Sequence, residues 1–227
     1  MHLLLIRHGQ TPSNIAGKLD TATPGPGLTE RGHLQAARIP GALESAAIDG
    51  IFVSTLVRTH LTAAPLALER GIEPVQRSGL HEIEAGALEM LSDHDSVRTY
   101  MQTAFAWGLG ELDTRMPGGP DGHAFFERFD ADIAAIEAIV GDGTAVVFSH
   151  GAAIRVWSAG RSMNVPPTFA GQHELDNTGV VELRGTSSDG WTLVSWQGTP
   201  VGGVELADAA GEGPAGESLP HTRVDDA

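Results

Sequence analysis

The sequence predicts an α/β fold: a three-layer sandwich with a mainly parallel central sheet, helices on both faces and a small helical cap insertion. Short apolar runs rich in branched residues recur along the chain, and each is followed by a stretch of helical periodicity. That alternation is the mark of parallel βαβ units. The chain is also long enough, at 227 residues of which 41% are apolar, to bury one large core.

The elements follow in order. "HLLLI" at 2–6 reads as a buried strand, and Thr11-Pro12 as a helix start, with Thr as N-cap and Pro at the first position. A helix is expected at 30–46 despite Pro40, a strand at 50–54 ("GIFVS"), a helix at 56–70 and a short strand near 74–80. Residues 87–121 have helical pieces and glycine breaks but no strand, and read as an insertion or cap over the sheet edge, with Tyr100 and Trp107 as candidate pocket residues. A helix at 122–140 buries a stripe of Phe125, Phe129, Ile133, Ile136 and Val140, spaced three and four apart. "TAVVFS" at 144–149 is a core strand, followed by a helix near 152–159. Two late strands, 178–185 and 190–198, form a hairpin with "GTSSDG" as its turn. Residues 1–206 make one domain. From residue 207 the chain is Gly, Ala, Pro and acid with little to bury, which predicts a flexible acidic tail.

Charge narrows the function. Asp and Glu outnumber Lys and Arg by 29 to 14, a net charge of −15, of which −10 belongs to residues 1–204. A nucleic-acid partner is therefore not expected, since a phosphate backbone needs a basic face. An anionic small molecule is compatible if the few arginines gather in one pocket. No apolar run approaches the length of a membrane span, and the start lacks the long apolar stretch of a secretory signal, so a cytoplasmic protein with no membrane partner is expected. Cysteine is absent, which excludes disulfides and thiolate chemistry. Oligomeric state stays open, a homo-oligomer included.

Reactive groups sit where strands end. The first strand ends at Arg7-His8-Gly9, the 50–54 strand at Ser54 with Arg58 soon after, and the 144–149 strand at Ser149-His150-Gly151. In parallel sheets, ligands bind at the carboxyl ends of strands. Two arginines and two histidines meeting at one rim repel each other unless they hold an anion. Arginine's planar fork suits phosphate oxygens. Helix N-termini add N–H donors, and Gly9 and Gly151 are expected to let the backbone approach the ligand. Asn14 lies within reach of the same loop. His8 is then a candidate nucleophile, with Arg7, Arg58 and His150 neutralising the phosphoryl oxygens. A proton for the leaving oxygen is available from Glu82 or Glu84 in "LHEIEAG".

Three other patterns carry less. "SDHDS" at 92–96 places Asp93, His94 and Asp95 side by side, which reads as a solvated loop because adjacent residues do not converge on one ion. "GPGLTE" lacks the third glycine and the preceding strand of a dinucleotide site, and no G-x-S-x-G occurs. No metal and no cofactor are expected.

These residues have a family resemblance. "LIRHGQTPSN" (5–14), "GLTERGHLQA" (27–36), "VSTLVRTHLTA" (53–63), "LHE" (80–82), "PGGPDG" (117–122) and "VVFSHGAAIR" (146–155) resemble, in order, the blocks of the histidine phosphatase superfamily, the phosphoglycerate-mutase-like fold. "DNTGVVEL" at 176–183 resembles its late strand. The resemblance implies His8 as nucleophile and Glu82 as proton donor. It implies a phosphate pocket of Arg7, Asn14, Arg58 and His150, with Thr11 and Gly151 beside it. Three departures stand out. The family's Gly-Gly-Glu-Ser element reads Gly118-Gly119-Pro120-Asp121 here, and Met90 stands where glycine is common. The adjacent arginine pair of the mutases is missing, with Arg98 and Arg115 standing alone between 83 and 121. The expected activity is a metal-independent phosphomonoesterase, of the histidine acid phosphatase type, acting on a small phosphorylated substrate. A phosphoryl mutase and a non-catalytic phospho-ligand binder are the alternatives.

Overall fold

A computed structural model describes residues 1–201 and 203–207. Among them six strands form one sheet: β1 (His2–Arg7), β2 (Gly50–Val53), β3 (Val75–Gln76), β4 (Thr144–Ser149), β5 (Val180–Thr186) and β6 (Gly190–Gln197), in the order β3-β2-β4-β1-β5-β6. The first four strands run parallel. β5 and β6 join them antiparallel, as a hairpin on the far side of β1. The helices are α1 (Pro12–Ile15), α2 (Glu30–Ala42), α3 (Val57–Arg70), α4 (His94–Gly108), α5 (Gly122–Val140), α6 (Gly151–Arg161) and α7 (Phe169–Gln172).

The continuous apolar run of β1 is explained by burial on both faces. Leu3 and Leu5 join Phe52, Val147, Phe125, Phe129 and Trp157 in the core under α4, α5 and α6. Leu4 and Ile6 point the other way, with Ile51, Val53, Val146, Phe148, Ile39, Ala63 and Leu66, into the core under α2 and α3. Each such side chain contributes about 1.5–3 kcal/mol relative to exposure. Three layers result, as the alternation predicts.

The boundaries differ in physical detail. The helix expected at 30–46 ends at Ala42. Pro40 supplies no N–H to the carbonyl of Ala36, and past the helix end Arg70 of α3 donates to the carbonyls of Leu43 (2.6 Å) and Ala46 (3.3 Å). The strand expected near 74–80 is two residues long and gives way to a 3-10 turn at Ser78–Leu80. "SDHDS" is a helix start rather than a loop: Asp93 is the N-cap of α4 and accepts from Ser96 N at 3.0 Å. α7 is a single four-residue turn, too short to leave a periodic pattern in the sequence. Val140 of the α5 stripe is only partly buried, whereas Phe126 beside it is fully packed.

Residues 87–121 carry α4, which packs against α6 and buries Tyr100, Met101, Ala104, Phe105 and Trp107. No helix among the described residues is long and apolar enough to cross a membrane. The expected acidic tail falls, Ala207 apart, outside the described residues.

Candidate active site

The register of the sheet builds the site. Arg7 stands opposite Ser149 on β4, so the two chains leave the sheet together and set His8 beside His150, ring centroids 5.2 Å apart. β2 lies on the other side of β4 and delivers Ser54, whose Oγ is 2.8 Å from His150 Nε2. α3 then brings Arg58 back over the rim. Arg7, His8, Arg58 and His150 are all buried.

The two imidazoles are held in opposite ways. His8 Nδ1 lies 2.8 Å from the carbonyl of Gly9. A carbonyl only accepts, so Nδ1 carries the proton and Nε2 keeps its lone pair. His150 Nδ1 accepts from Arg58 Nε at 3.3 Å, so its Nε2–H donates to Ser54. Burial holds both histidines well below the ordinary imidazole range. The positive charge of Arg58 pushes the same way on both, and that of Arg7 does so on His8. Both rings are neutral at neutral pH. Burial also lowers Arg58, which donates through Nη2 to Asp20 O at 2.9 Å while its Nη1, buried, finds no hydrogen-bond partner among the described residues.

Glu82 is reached from the loop after β3. Its Oε1 accepts from Ile83 N (2.8 Å) and Ala153 N (2.9 Å), and its Oε2 from Ala152 N (3.2 Å). α6 has no side-chain cap of its own, and Glu82 fills that place from outside the helix. Glu84 lies elsewhere: it is exposed and pairs with His81 at 3.1 Å. Thr11 and Asn14 form a reciprocal cap on α1. Asn14 Oδ1 accepts from Thr11 N, Thr11 Oγ1 and Asn177 Nδ2, which leaves the amide NH2 as its outward group.

A cleft of about 360 Å3 opens over these groups, lined by Arg7, His8, Thr11, Asn14, Arg58 and Glu82, together with Ser13, Lys18, Leu19, Asp20, Thr21 and Tyr100. Of the eight residues that the sequence offers as catalytic or phosphate-binding besides Gly9 and Glu84, six face this cleft. His150 and Gly151 do not. His150 stands behind His8 and Arg58, with both its nitrogens engaged, and Gly151 is the first residue of α6. Tyr100 lines the cleft, as expected, but Trp107 is core, packed on Phe125 with Nε1 on Thr114 O. Gly9 serves packing rather than ligand approach: a Cβ there would sit 2.7 Å from the carbonyl of Gly32 in α2.

Several residues of the site carry no motif of their own in the sequence. Arg128 of α5 holds the Glu82 loop by its backbone, donating to the carbonyls of Gly79 (2.5 Å), His81 (2.9 Å) and Glu82 (2.8 Å). Desolvation lowers its guanidinium to about 10. Asp132, one turn on, accepts from Gly79 N. An i, i+4 Arg–Asp pair flanking an apolar stripe was the available signal. Asn177 Nδ2 donates to His8 O at 2.9 Å, and Thr178 N to Arg7 O at 3.0 Å, with Thr178 at φ 63°. A buried β-branched residue in that region is strained and marks a loop fixed by its surroundings. Gly118-Gly119-Pro120-Asp121 forms a tight turn in which Asp121 caps α5, accepting from Ala124 N at 3.1 Å. Arg98 and Arg115 pair with Asp95 and Asp121 at the surface.

Comparison with known proteins gives consistent likenesses. A PE-PGRS family protein of Mycobacterium tuberculosis is 40% identical over 219 residues, 90% of this chain but 38% of that protein, so the chain spans well under half of that relative. The adenosylcobalamin/alpha-ribazole phosphatase of Salmonella typhimurium is 29% identical over 150 residues, 66% of this chain and 74% of that protein. A mycobacterial glucosyl-3-phosphoglycerate phosphatase, solved with VO3, shares the fold with a TM-score of 0.73 at 24% identity, over 87% of this chain and 99% of that one. The model of the histidine phosphatase superfamily (branch 1) matches residues 3–199, a span that includes every group lining the cleft, and the chain belongs to that superfamily.

Proposed function

We propose that, within this superfamily of phosphatases and mutases, the chain is a phosphoric monoester hydrolase of the histidine acid phosphatase type, working through a phosphohistidine on a small phosphorylated metabolite. The observation that carries this reading is the neutral, buried His8, its Nδ1 proton tied to Gly9 and its Nε2 unprotonated, between two guanidinium groups. His8 Nε2 attacks phosphorus as the ester P–O bond breaks. Arg7, Arg58 and the Asn14 NH2 take the charge on the equatorial oxygens, with Thr11 beside them. His150 orients Arg58 through its Nδ1. Glu82 gives a proton to the leaving oxygen, then takes one from the water that attacks the phosphohistidine, releasing inorganic phosphate and restoring His8. Guanidinium groups supply the positive charge, so the reaction runs in chelator.

The relative named as an alpha-ribazole phosphatase supports a small phosphorylated substrate. Hydrolysis is favoured over mutase chemistry because Arg98 and Arg115 are committed to surface pairs away from the cleft. The test is His8→Ala with an aryl phosphate in the presence of chelator. Turnover is expected to fall at least about a thousandfold. Retained turnover would remove His8 from the chemistry. Phosphate bound equally by both proteins, with turnover by neither, would favour a binding protein.

A further inference from the structure

Lys18 is the only lysine in 227 residues of a chain with net charge −15, and it lines the catalytic cleft. Its backbone is fixed: Lys18 N donates to Ser13 O at 3.0 Å, and the neighbouring Leu19 pairs with the cap, its N on Leu91 O (2.9 Å) and its O accepting from Met90 N (2.7 Å). Leu19 is buried in the core while Lys18, half-buried, turns to the cleft.

The acidic groups of the cleft are already engaged. Asp20 accepts from Ser13 Oγ at 2.5 Å and faces Arg58 Nη1 at 3.9 Å. Glu82 is held by three backbone N–H groups. Among the described residues no carboxylate pairs with Lys18. Arg7 and Arg58, flanking His8, already suit the transferred phosphoryl group. A third cation at the same cleft has work left over.

We propose that Lys18 selects substrates whose leaving group carries a second anionic group, a carboxylate or a second phosphate. This rests on the phosphatase reading above. The neighbouring surface argues for the Lys18 side as the place of that anion. A wider groove of about 880 Å3 adjoins the cleft at Thr21, and its walls include Glu84 and Glu89 but no lysine or arginine. An anion is repelled there and attracted at Lys18. A charge-assisted hydrogen bond of this kind changes affinity by about tenfold or more.

The test measures kcat/KM on two matched pairs: 3-phosphoglycerate against glycerol 3-phosphate, and fructose 1,6-bisphosphate against fructose 6-phosphate. The wild type is expected to prefer the doubly charged member of at least one pair by about tenfold; which pair distinguishes carboxylate from phosphate. Lys18→Met keeps the apolar stem and is expected to remove most of that preference, and Lys18→Arg to retain it. Melting temperatures of the variants report whether they fold. No preference in the wild type, or an equal loss on both members of a pair in Lys18→Met, overturns the inference; the second result assigns Lys18 to the transferred phosphate. p-Nitrophenyl phosphate separates the two levels. His8-dependent turnover of it with no preference sinks this inference alone. Its absence sinks the phosphatase reading and this one with it.

Discussion

At the scale of residues, His8 and His150 are unusual in being buried and neutral beside fixed cations. That has a consequence for stability. Both folded-state pKa values lie below the unfolded value of about 6.5. Below pH 6.5 the unfolded chain takes up protons that the folded chain refuses, so stability is full above that pH and falls as pH drops through it. Each histidine contributes a slope of up to about 1.4 kcal/mol per pH unit, and the two together approach about 3. Chemical denaturation between pH 6.5 and 5.5, in phosphate-free buffer, is expected to show this, and His8→Ala to flatten it by about half. Equal slopes in the two proteins would mean that His8 takes a proton in the fold. Position and residue type were legible here, because Arg7-His8 and Ser149-His150 each end an apolar run. The division of labour was not. That His150 turns both nitrogens to protein, and that Gly9 is glycine because Gly32 packs against it, depends on contacts between segments far apart in the chain.

Among the elements, the segment that carries Glu82 is the least regular part of the site, a 3-10 turn and a loop. It is fixed from outside. Arg128 holds three of its carbonyls, Asp132 holds Gly79 N, Ser149 Oγ donates to Leu80 O at 2.8 Å, and Tyr100 OH to Ile83 O at 2.8 Å. Arg128→Met keeps the packing over Phe125 but removes those donors and leaves the carbonyls unpaired. A loss of about 2–4 kcal/mol in urea denaturation is expected. kcat is expected to fall more than tenfold at temperatures where the variant remains folded, because a small displacement of a proton donor is costly. Unchanged kcat would show that the loop keeps its place without α5. The strands were legible as apolar runs with arginine, histidine or serine at their ends. The Glu82 loop was not, since a loop held by side chains from elsewhere has no period. Met90 shows the same limit from the other side: it sits at φ 63°, which explains the family's glycine there, yet only the backbone shows it.

For the whole molecule, the sheet order explains why a strongly acidic chain has a cationic cleft. β4 lies between β2 and β1, so the groups that follow three parallel strands reach one rim although they are about fifty to a hundred and forty residues apart in sequence. The fold thereby holds Arg7, Arg58 and Lys18 close together, and their mutual repulsion opposes folding. A phosphate-like anion that binds the folded state alone relieves it and stabilises by mass action. At one hundred times its Kd the gain is about 2.7 kcal/mol. For a chain of this size each kcal/mol moves the melting temperature by about 2–4 °C. Saturating inorganic phosphate at constant ionic strength, measured against chloride at a pH above 7, is therefore expected to raise the melting temperature by about 5–10 °C. Arg58→Ala removes the guanidinium whose Nη1 has no hydrogen-bond partner among the described residues, and is expected to lose most of that shift whatever its own starting stability. A shift of equal size in Arg58→Ala would locate the anion away from the rim where the three parallel strands converge.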